Sequence, residues 1–395
     1  ILNIILTKRG KHRDKDIPMC GVPHHSAENY IKTLLENGCK IAICEQMETP
    51  EEAKKRGYKS IVNRDVVRVI SPGTLLEETF LEQRKNNILA SLFFLEESWS
   101  VCWIDISTNL FQITSDLESE VLSLIEQLDP SEILIHEKDL KTASFNGSLP
   151  LEIVTVLEKK PPFKEDFIEN MGGLFALKDL SNFSSCQIGA ISTIAKYLGA
   201  SKNLAAEFCD PPQIVNTSNF MAMDPSTRRN LEINKSIDGE KKLSLLSVID
   251  NTSCLMGSRL LSRRLNSPST NRSEIINWQN CVKNLFENTE LNNKIKSILK
   301  RFPDTERSIS RIVRFGPNPK DLLSICQSLR YYFRLSESFK ALGADKVFVK
   351  KVKLGKLETL YASLDSALSE DVPLSSKDGG FIRTGYDKCV DSLRA

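Results

Sequence analysis

No stretch of this 395-residue sequence approaches the roughly 18 consecutive apolar residues that a membrane-spanning helix requires. Ile1 to Gly10 puts Lys8 and Arg9 behind the apolar residues, with no small-residue cleavage site after them, which is the wrong order for a secretory signal. There is no G-x-x-x-x-G-K-S/T loop to wrap a nucleotide's phosphates in backbone N–H groups. The nearest approach, Gly316-Pro317-Asn318-Pro319-Lys320, has no second glycine and no Lys-Ser/Thr pair, and its prolines remove donors; it reads as a helix start. There is no G-x-S-x-G elbow, and four histidines leave few candidates for a Ser-His-Asp arrangement. His136 follows a strand and reads as a strand-end surface histidine. None of the ten cysteines forms a C-x-x-C pair. Most sit in apolar runs such as Ile41-Ala42-Ile43-Cys44, which predicts buried free thiols in a reducing compartment, not a disulfide framework. His24 and His25 lie near Cys20, but adjacent histidines point different ways and no second ligand pair follows, so no metal site is expected. Charge of one sign is lacking too, with a net charge of +2.

What is present is an ordinary globular composition, 41% hydrophobic and 26% charged, in a chain long enough for two or three domains. Lys8, Arg9, Lys11, Arg13 and Lys15 form a basic cluster that could neutralise phosphates, or simply line a solvated loop. Three zones follow from the pattern. The first begins inside an apolar strand at Ile1. Ser26 then caps a helix carrying Tyr30, Ile31, Leu34 and Leu35, ended by Gly38. Strands are predicted over 40–44 and 65–70, the second closed by Ser71-Pro72-Gly73. In the second zone, 88–95, 100–106 and 110–114 predict an antiparallel meander, followed by a helix over 117–128, a strand at 132–135 and a helix near 184–198. The Pro-containing run Cys209-Asp210-Pro211-Pro212 marks a boundary. From Phe220 the pattern is helical, with capping devices at Asp224-Pro225 and Asn318-Pro319 and a cap-compatible Asn271 with Glu274. Leu322, Cys326, Leu329 and Phe333 form one apolar stripe.

Two constellations bear on chemistry. Asp105 sits mid-strand, as a metal-holding aspartate of a nuclease would, but that chemistry needs converging carboxylates. Asp116, Glu118, Glu120 and Asp179 are available without pointing clearly to it, so a strand-end aspartate satisfying a turn is the preferred reading. Arg228, Arg229, Arg259, Arg263 and Arg264 are dense enough for phosphate binding. Arg259 and Arg263 share a helix face opposite Met256, Leu260 and Leu261, and an ion-pair network with Glu232, Asp238 or Glu240 is expected in preference to DNA contact.

Several long motifs occur in a telling order. Leu6-Thr7-Lys8-Arg9-Gly10, Ile17-Pro18-Met19-Cys20-Gly21-Val22-Pro23-His24-His25, Ile41-Ala42-Ile43-Cys44-Glu45-Gln46 and Val66-Val67-Arg68-Val69-Ile70-Ser71-Pro72-Gly73-Thr74 resemble the mismatch-binding domain of the bacterial MutS mismatch-repair family. Met223-Asp224-Pro225-Ser226-Thr227-Arg228-Arg229-Asn230-Leu231-Glu232, Val248-Ile249-Asp250-Asn251-Thr252, Met256-Gly257-Ser258-Arg259-Leu260-Leu261 and Asp378-Gly379-Gly380-Phe381-Ile382-Arg383-Thr384-Gly385-Tyr386 resemble its core domain.

The resemblance implies a multidomain α/β plus all-α chain. Residues 1–76 would be a small mixed α/β mismatch-binding domain and 77–85 a linker. Residues 86–200 would be a ribonuclease H-like connector, 201–212 a second linker, and 213–395 a helical core with long lever helices. Arg9, Met19 and Arg64 match family positions near DNA, Lys8 is adjacent to them and is counted with them as DNA-binding, and Asp65 replaces a residue that is often basic in relatives. The family's Phe-x-Glu wedge is expected upstream of Ile1, and the clamp and ATPase domains after Ala395. Little mismatch preference is therefore expected of these residues alone. The chain is expected to be no enzyme by itself and to hold no cofactor or metal, the family's ATP and Mg²⁺ belonging elsewhere. The implied partners are mismatched double-stranded DNA, a MutL-type protein and a second copy of the full-length protein, with no membrane, in a bacterial cytoplasm at the nucleoid. A metal-dependent nuclease centred on Asp105 and a protein-only scaffold are the alternatives.

Overall fold

The computed structural model describes residues 2–12, 15–57, 60–114, 120–143, 149–161, 182–200, 211–341, 354–373 and 376–394. Asp116, Glu118 and Asp179, the start of the helix expected from Leu117, and the boundary at Cys209-Asp210 lie outside these residues.

The first zone holds two small antiparallel ribbons. Strands β1 (Thr7–His12) and β2 (Lys15–Met19) form one; β3 (Ile41–Gln46) and β4 (Arg64–Ile70) form the other. Among the described residues no strand forms before Thr7, and Ile5 and Leu6 stand 81% and 70% exposed. The apolar run at the chain start therefore misled the strand prediction, since among its described residues none pairs with a neighbouring strand. Helix α1 (Ala27–Glu36) covers the second ribbon, with Ile31 and Leu35 joining Ile41, Ile43, Ile70, Leu75 and Leu81 in a small core. Ser26 makes no capping hydrogen bond from its side chain; a 3-10 turn over His24–Ser26 leads into the helix instead. Helix α2 (Pro50–Arg56) does start on a full capping box, Thr49 with Glu52. Cys44 is exposed, as are Cys20 and Cys389; among the described residues the buried thiols are Cys102, Cys186 and Cys326. One side of a two-stranded ribbon faces water, so alternate residues of an apolar run stay wet.

The second zone is a six-stranded sheet. Strands β5 (Ile88–Leu95), β6 (Ser98–Asp105) and β7 (Leu110–Thr114) form the expected antiparallel meander. After α3 (Val121–Leu128), strand β8 (Glu132–His136) runs parallel to β5. Helix α4 (Glu137–Thr142) precedes β9 (Val154–Leu157), parallel to β8, and β10 (Gln213–Val215) pairs parallel with β7. The order across the sheet is β10-β7-β6-β5-β8-β9. Both sides are covered. Leu89, Phe93, Cys102 and Ile104 pack with Ile191, Ile194 and Leu198 of α5 (Ser185–Ala200), while Ile88, Ala90, Leu92, Val101 and Trp103 pack with Val121, Leu124 and Ile125 of α3. A strand buried on two sides reads as a continuous apolar run, which is why β5 was legible. Gly189 in α5 lets the Phe93 ring approach so closely that a Cβ there would lie 2.3 Å from it. His136 is buried, not at the surface: its Nε2 lies 3.0 Å from Thr193 Oγ1, and its ring packs edge-on against Phe93.

The third zone is helical: α6 (Pro225–Asn230), α7 (Leu245–Ile249), α8 (Leu255–Asn266), α9 (Arg272–Glu287), α10 (Thr289–Leu299), α11 (Thr305–Phe315), α12 (Pro319–Ala341), α13 (Leu354–Ala367) and α14 (Lys388–Arg394). Asp224 accepts the Thr227 N–H and Asn318 that of Asp321, as the capping signals predict. Asn271 caps α9, but Glu274 turns to Ser269 and completes no capping box. On α12 only Cys326 of the apolar stripe is fully buried; Leu322, Leu329 and Phe333 are half-buried. Polar groups instead fill much of this interior, among them Arg228, Arg259, Arg307, Ser310, Asp321 and Ser328. A cleft of about 1600 Å³ lies between the sheet and the helices, and Lys241–Glu82, Arg84–Asp250 and Lys85–Asp129 ion pairs stand along it. Among the described residues no helix is long and apolar enough to cross a membrane.

Candidate nucleic-acid interface

The β1–β2 hairpin is built from residues with almost no apolar alternation, and every residue of β2 is exposed. An isolated two-stranded ribbon is at best marginally stable in water, so this one needs local ties. Thr7 donates its hydroxyl to Met19 O at 2.8 Å, and Lys8 pairs with Asp16 at 3.0 Å. The register shifts between Lys8 and Lys11, where Gly10 takes a left-handed φ of +71°. The hairpin thus sets Lys8 close to Met19: Thr7 faces Met19 and Lys8 faces Pro18 across the ribbon, and Arg9 follows Lys8 where the register shifts. The Lys8–Asp16 pair is largely solvated, so it competes only weakly with an incoming phosphate.

Arg64 is in the other ribbon, as the first residue of β4, exposed and opposite Gln46. Its neighbour Asp65 faces Glu45 directly across the ladder, so two acidic residues pair one position along the ribbon, on the opposite face from the arginine. The pair leaves a negative field one residue from Arg64.

At its other end the same ribbon meets a group that sequence reasoning missed. Glu132, the first residue of β8, is 2% exposed. Its Oε2 accepts from Ser71 Oγ at 2.5 Å and from the Gly73 N–H at 3.1 Å. Its Oε1 accepts from Tyr197 OH at 2.6 Å and Thr155 Oγ1 at 2.7 Å, with Lys40 Nζ 3.5 Å away. Burial and the adjacent carboxylate push the Tyr197 phenol well above its usual range. A charged residue opening the apolar run Glu132-Ile133-Leu134-Ile135 was the available signal.

Among the described residues Asp105 assembles no metal site. Asn86 Nδ2 (2.6 Å), the Asn87 N–H (3.1 Å), the Ser107 N–H (2.9 Å) and Ser107 Oγ (2.7 Å) all donate to it. Those donors take up its acceptor positions, and among the described residues no group of three or more His, Cys, Asp or Glu could hold a metal ion. It satisfies a turn and the segment entering β5.

The arginines do form an interhelical network, but with other partners than those expected. Arg259 is fully buried and binds Asp304 (2.7 Å) and Glu306 (2.8 Å), while Leu260 beside it is exposed, the reverse of the predicted facing. Arg228 donates to Asn266, and Glu232 accepts the Ile237 N–H instead. One stripe of α11 crosses to the preceding zones. Arg307 donates to Glu82 O and Lys85 O, both at 2.9 Å, and Arg259 to Gln83 O at 3.1 Å. Ser310 Oγ donates to Ile106 O at 2.6 Å, Arg311 pairs with Glu78 at 2.8 Å, and Arg314 reaches Asn109 at 3.3 Å. Segment 77–85, read as a linker, is strapped to the helical zone.

Three family models match the chain in order: MutS domain I over residues 1–79, MutS domain II over 87–207 and MutS domain III over 226–394. The DNA mismatch repair protein MutS of Roseobacter denitrificans is 35% identical over 398 residues, covering 100% of this chain and 45% of its own length. That of Rickettsia rickettsii (strain Sheila Smith) is 36% identical over 409 residues, 100% of this chain and 46% of its own length. That of Cereibacter sphaeroides (strain ATCC 17023) is 36% identical over 394 residues, 100% and 45% respectively. The chain spans just under half the length of these relatives.

Proposed function

Because the chain belongs to the MutS family of DNA mismatch repair proteins, we propose that it works in mismatch repair as a duplex-DNA-binding and signal-transmitting body. In this reading Lys8, Arg9 and Arg64 supply backbone contacts, and Met19 packs against the duplex beside them. Mispaired steps stack poorly and kink at lower cost, so specificity is read as deformability while cations supply affinity. The six-stranded sheet, whose order and mixed pairing support a ribonuclease H-like connector, would offer a surface to a MutL-type partner. The helical zone would act as core and levers, and the full-length protein as a homodimer. ATP and Mg²⁺ are assigned no residue here, and neither is a catalytic step.

The observation that carries the reading is an exposed, cation-bearing hairpin within the segment that matches MutS domain I. The test is fluorescence anisotropy with a labelled duplex between 50 and 200 mM salt, with wild type, Lys8→Ala and Arg64→Ala. Affinity should fall with salt, and each variant should lower the slope of log K against log salt by about one. Absence of duplex binding, or slopes untouched by both variants, would overturn the assignment.

A further inference from the structure

We infer that Glu132 is a positioning residue for duplex binding: one buried carboxylate clasps the base of the β3–β4 ribbon and so fixes where its far end presents Arg64. This rests on the assignment of Arg64 to duplex contact. The geometry of the ribbon makes the case. Ile41 pairs with Ile70, so Lys40, just before β3, and Ser71, just after β4, flank the same end of the ladder. Glu132 reaches both, through Lys40 Nζ and through Ser71 Oγ with the Gly73 N–H. Its other oxygen is held by Thr155 of β9 and Tyr197 of α5, so the anchor belongs to the sheet. Arg64 lies at the opposite end of β4, on the order of 20 Å away at about 3.4 Å per residue. Over such a lever a small tilt at the base moves the guanidinium by several times its own displacement.

The turn is shaped for this contact. A Cβ on Gly73 would lie 2.8 Å from Glu132 Cβ and 2.8 Å from Leu89 Cδ1, so only glycine lets the backbone reach the carboxylate. Thr74 Oγ1 accepts the Ser71 N–H at 2.9 Å and keeps the turn closed. The hub contains four donors and an ammonium around one carboxylate, and no neutral side chain reproduces that. In Glu132→Gln one oxygen becomes an amide nitrogen, which would confront either Ser71 and Gly73 or Thr155 and Tyr197 with a donor.

Hydrogen exchange and duplex anisotropy on the full chain test this together, in wild type, Glu132→Gln and Gly73→Ala, which breaks the clasp from the other side. Amides of β3 and β4 should exchange at least about tenfold faster in both variants while those of β5 and β6 keep wild-type rates. At 50 mM salt the fold-loss caused by Arg64→Ala in wild type should largely vanish in the Glu132→Gln background, because a mispositioned Arg64 has little left to lose. Unchanged ribbon exchange, equal acceleration of β5 and β6, or an Arg64→Ala penalty of the same size in both backgrounds would overturn the clasp. Should Glu132→Gln fail to fold, Lys40→Met removes only the half-exposed ammonium and must show the same pattern, weaker. An Arg64→Ala penalty absent from wild type would instead bring down the duplex assignment, and the exchange comparison would still decide the clasp.

Discussion

Phe93 and Gly189 show how a single atom's worth of space is used in the sheet's larger core. With a Cβ only 2.3 Å from the ring, Gly189→Ala should destabilise by about 1–3 kcal/mol, and Phe93→Leu in the same chain should recover part of the loss. Urea unfolding reads both, and equal stability of Gly189→Ala and wild type would contradict the packing described. The Phe93 ring also bears on His136. Burial holds that imidazole below its ordinary value of 6.5, opposed in part by Asp139. The folded state therefore takes up a proton less readily than the unfolded chain. His136 leaves stability unaffected above about pH 6.5 and lowers it as pH falls below that value. His136→Gln keeps a polar group near Thr193 and should reduce the loss of melting temperature between pH 7 and 5.5. Identical pH slopes in the two proteins would refute the assignment.

At the scale of elements, Glu45 and Asp65 stand directly opposite each other in the β3–β4 ladder beside Arg64. Like charges in that position weaken a ribbon and repel phosphate. Asp65→Asn should raise duplex affinity a few-fold at 50 mM salt, with the gain shrinking at 200 mM as screening grows. Anisotropy titrations check it; a gain independent of salt would argue for a different cause. The elements also divide by how plainly the sequence announces them. Strand β5 was legible to the residue because both of its sides are apolar, and the starts of α6 and α12 because Asp224 and Asn318 cap helices through local chemistry. The β1–β2 hairpin was not, since Thr7-Lys8-Arg9-Gly10-Lys11-His12 has no apolar period to betray a strand. The orientation of α8 failed for the opposite reason. Arg259 is buried because Asp304 and Glu306, distant in sequence, make a home for it, and periodicity weighs only hydrophobicity. Of the candidate interface, the sequence motifs named the residues proposed to contact DNA, but the base of the ribbon depends on Glu132, whose five partners come from four separate segments.

For the molecule as a whole, the joint between sheet and helices is polar. Arg307 is almost completely buried and serves the Glu82 and Lys85 carbonyls. Arg307→Met would leave both acceptors without that donor, at a cost of about 1–3 kcal/mol each. Because the loss falls at the joint, calorimetry should resolve separate transitions for the sheet and the helical zone, where wild type gives a more cooperative one. A single transition shifted intact to lower temperature would count against the joint as the coupling element. The strap over residues 77–85 also bears on how the chain varies. Arg259 and Arg307 bind the backbone oxygens of Glu82, Gln83 and Lys85, which every amino acid supplies equally. Natural selection acting on residues 82–84, whose side chains stand exposed, would count residues more strictly than it would choose them: across related proteins these side chains could vary while insertions and deletions would be purged.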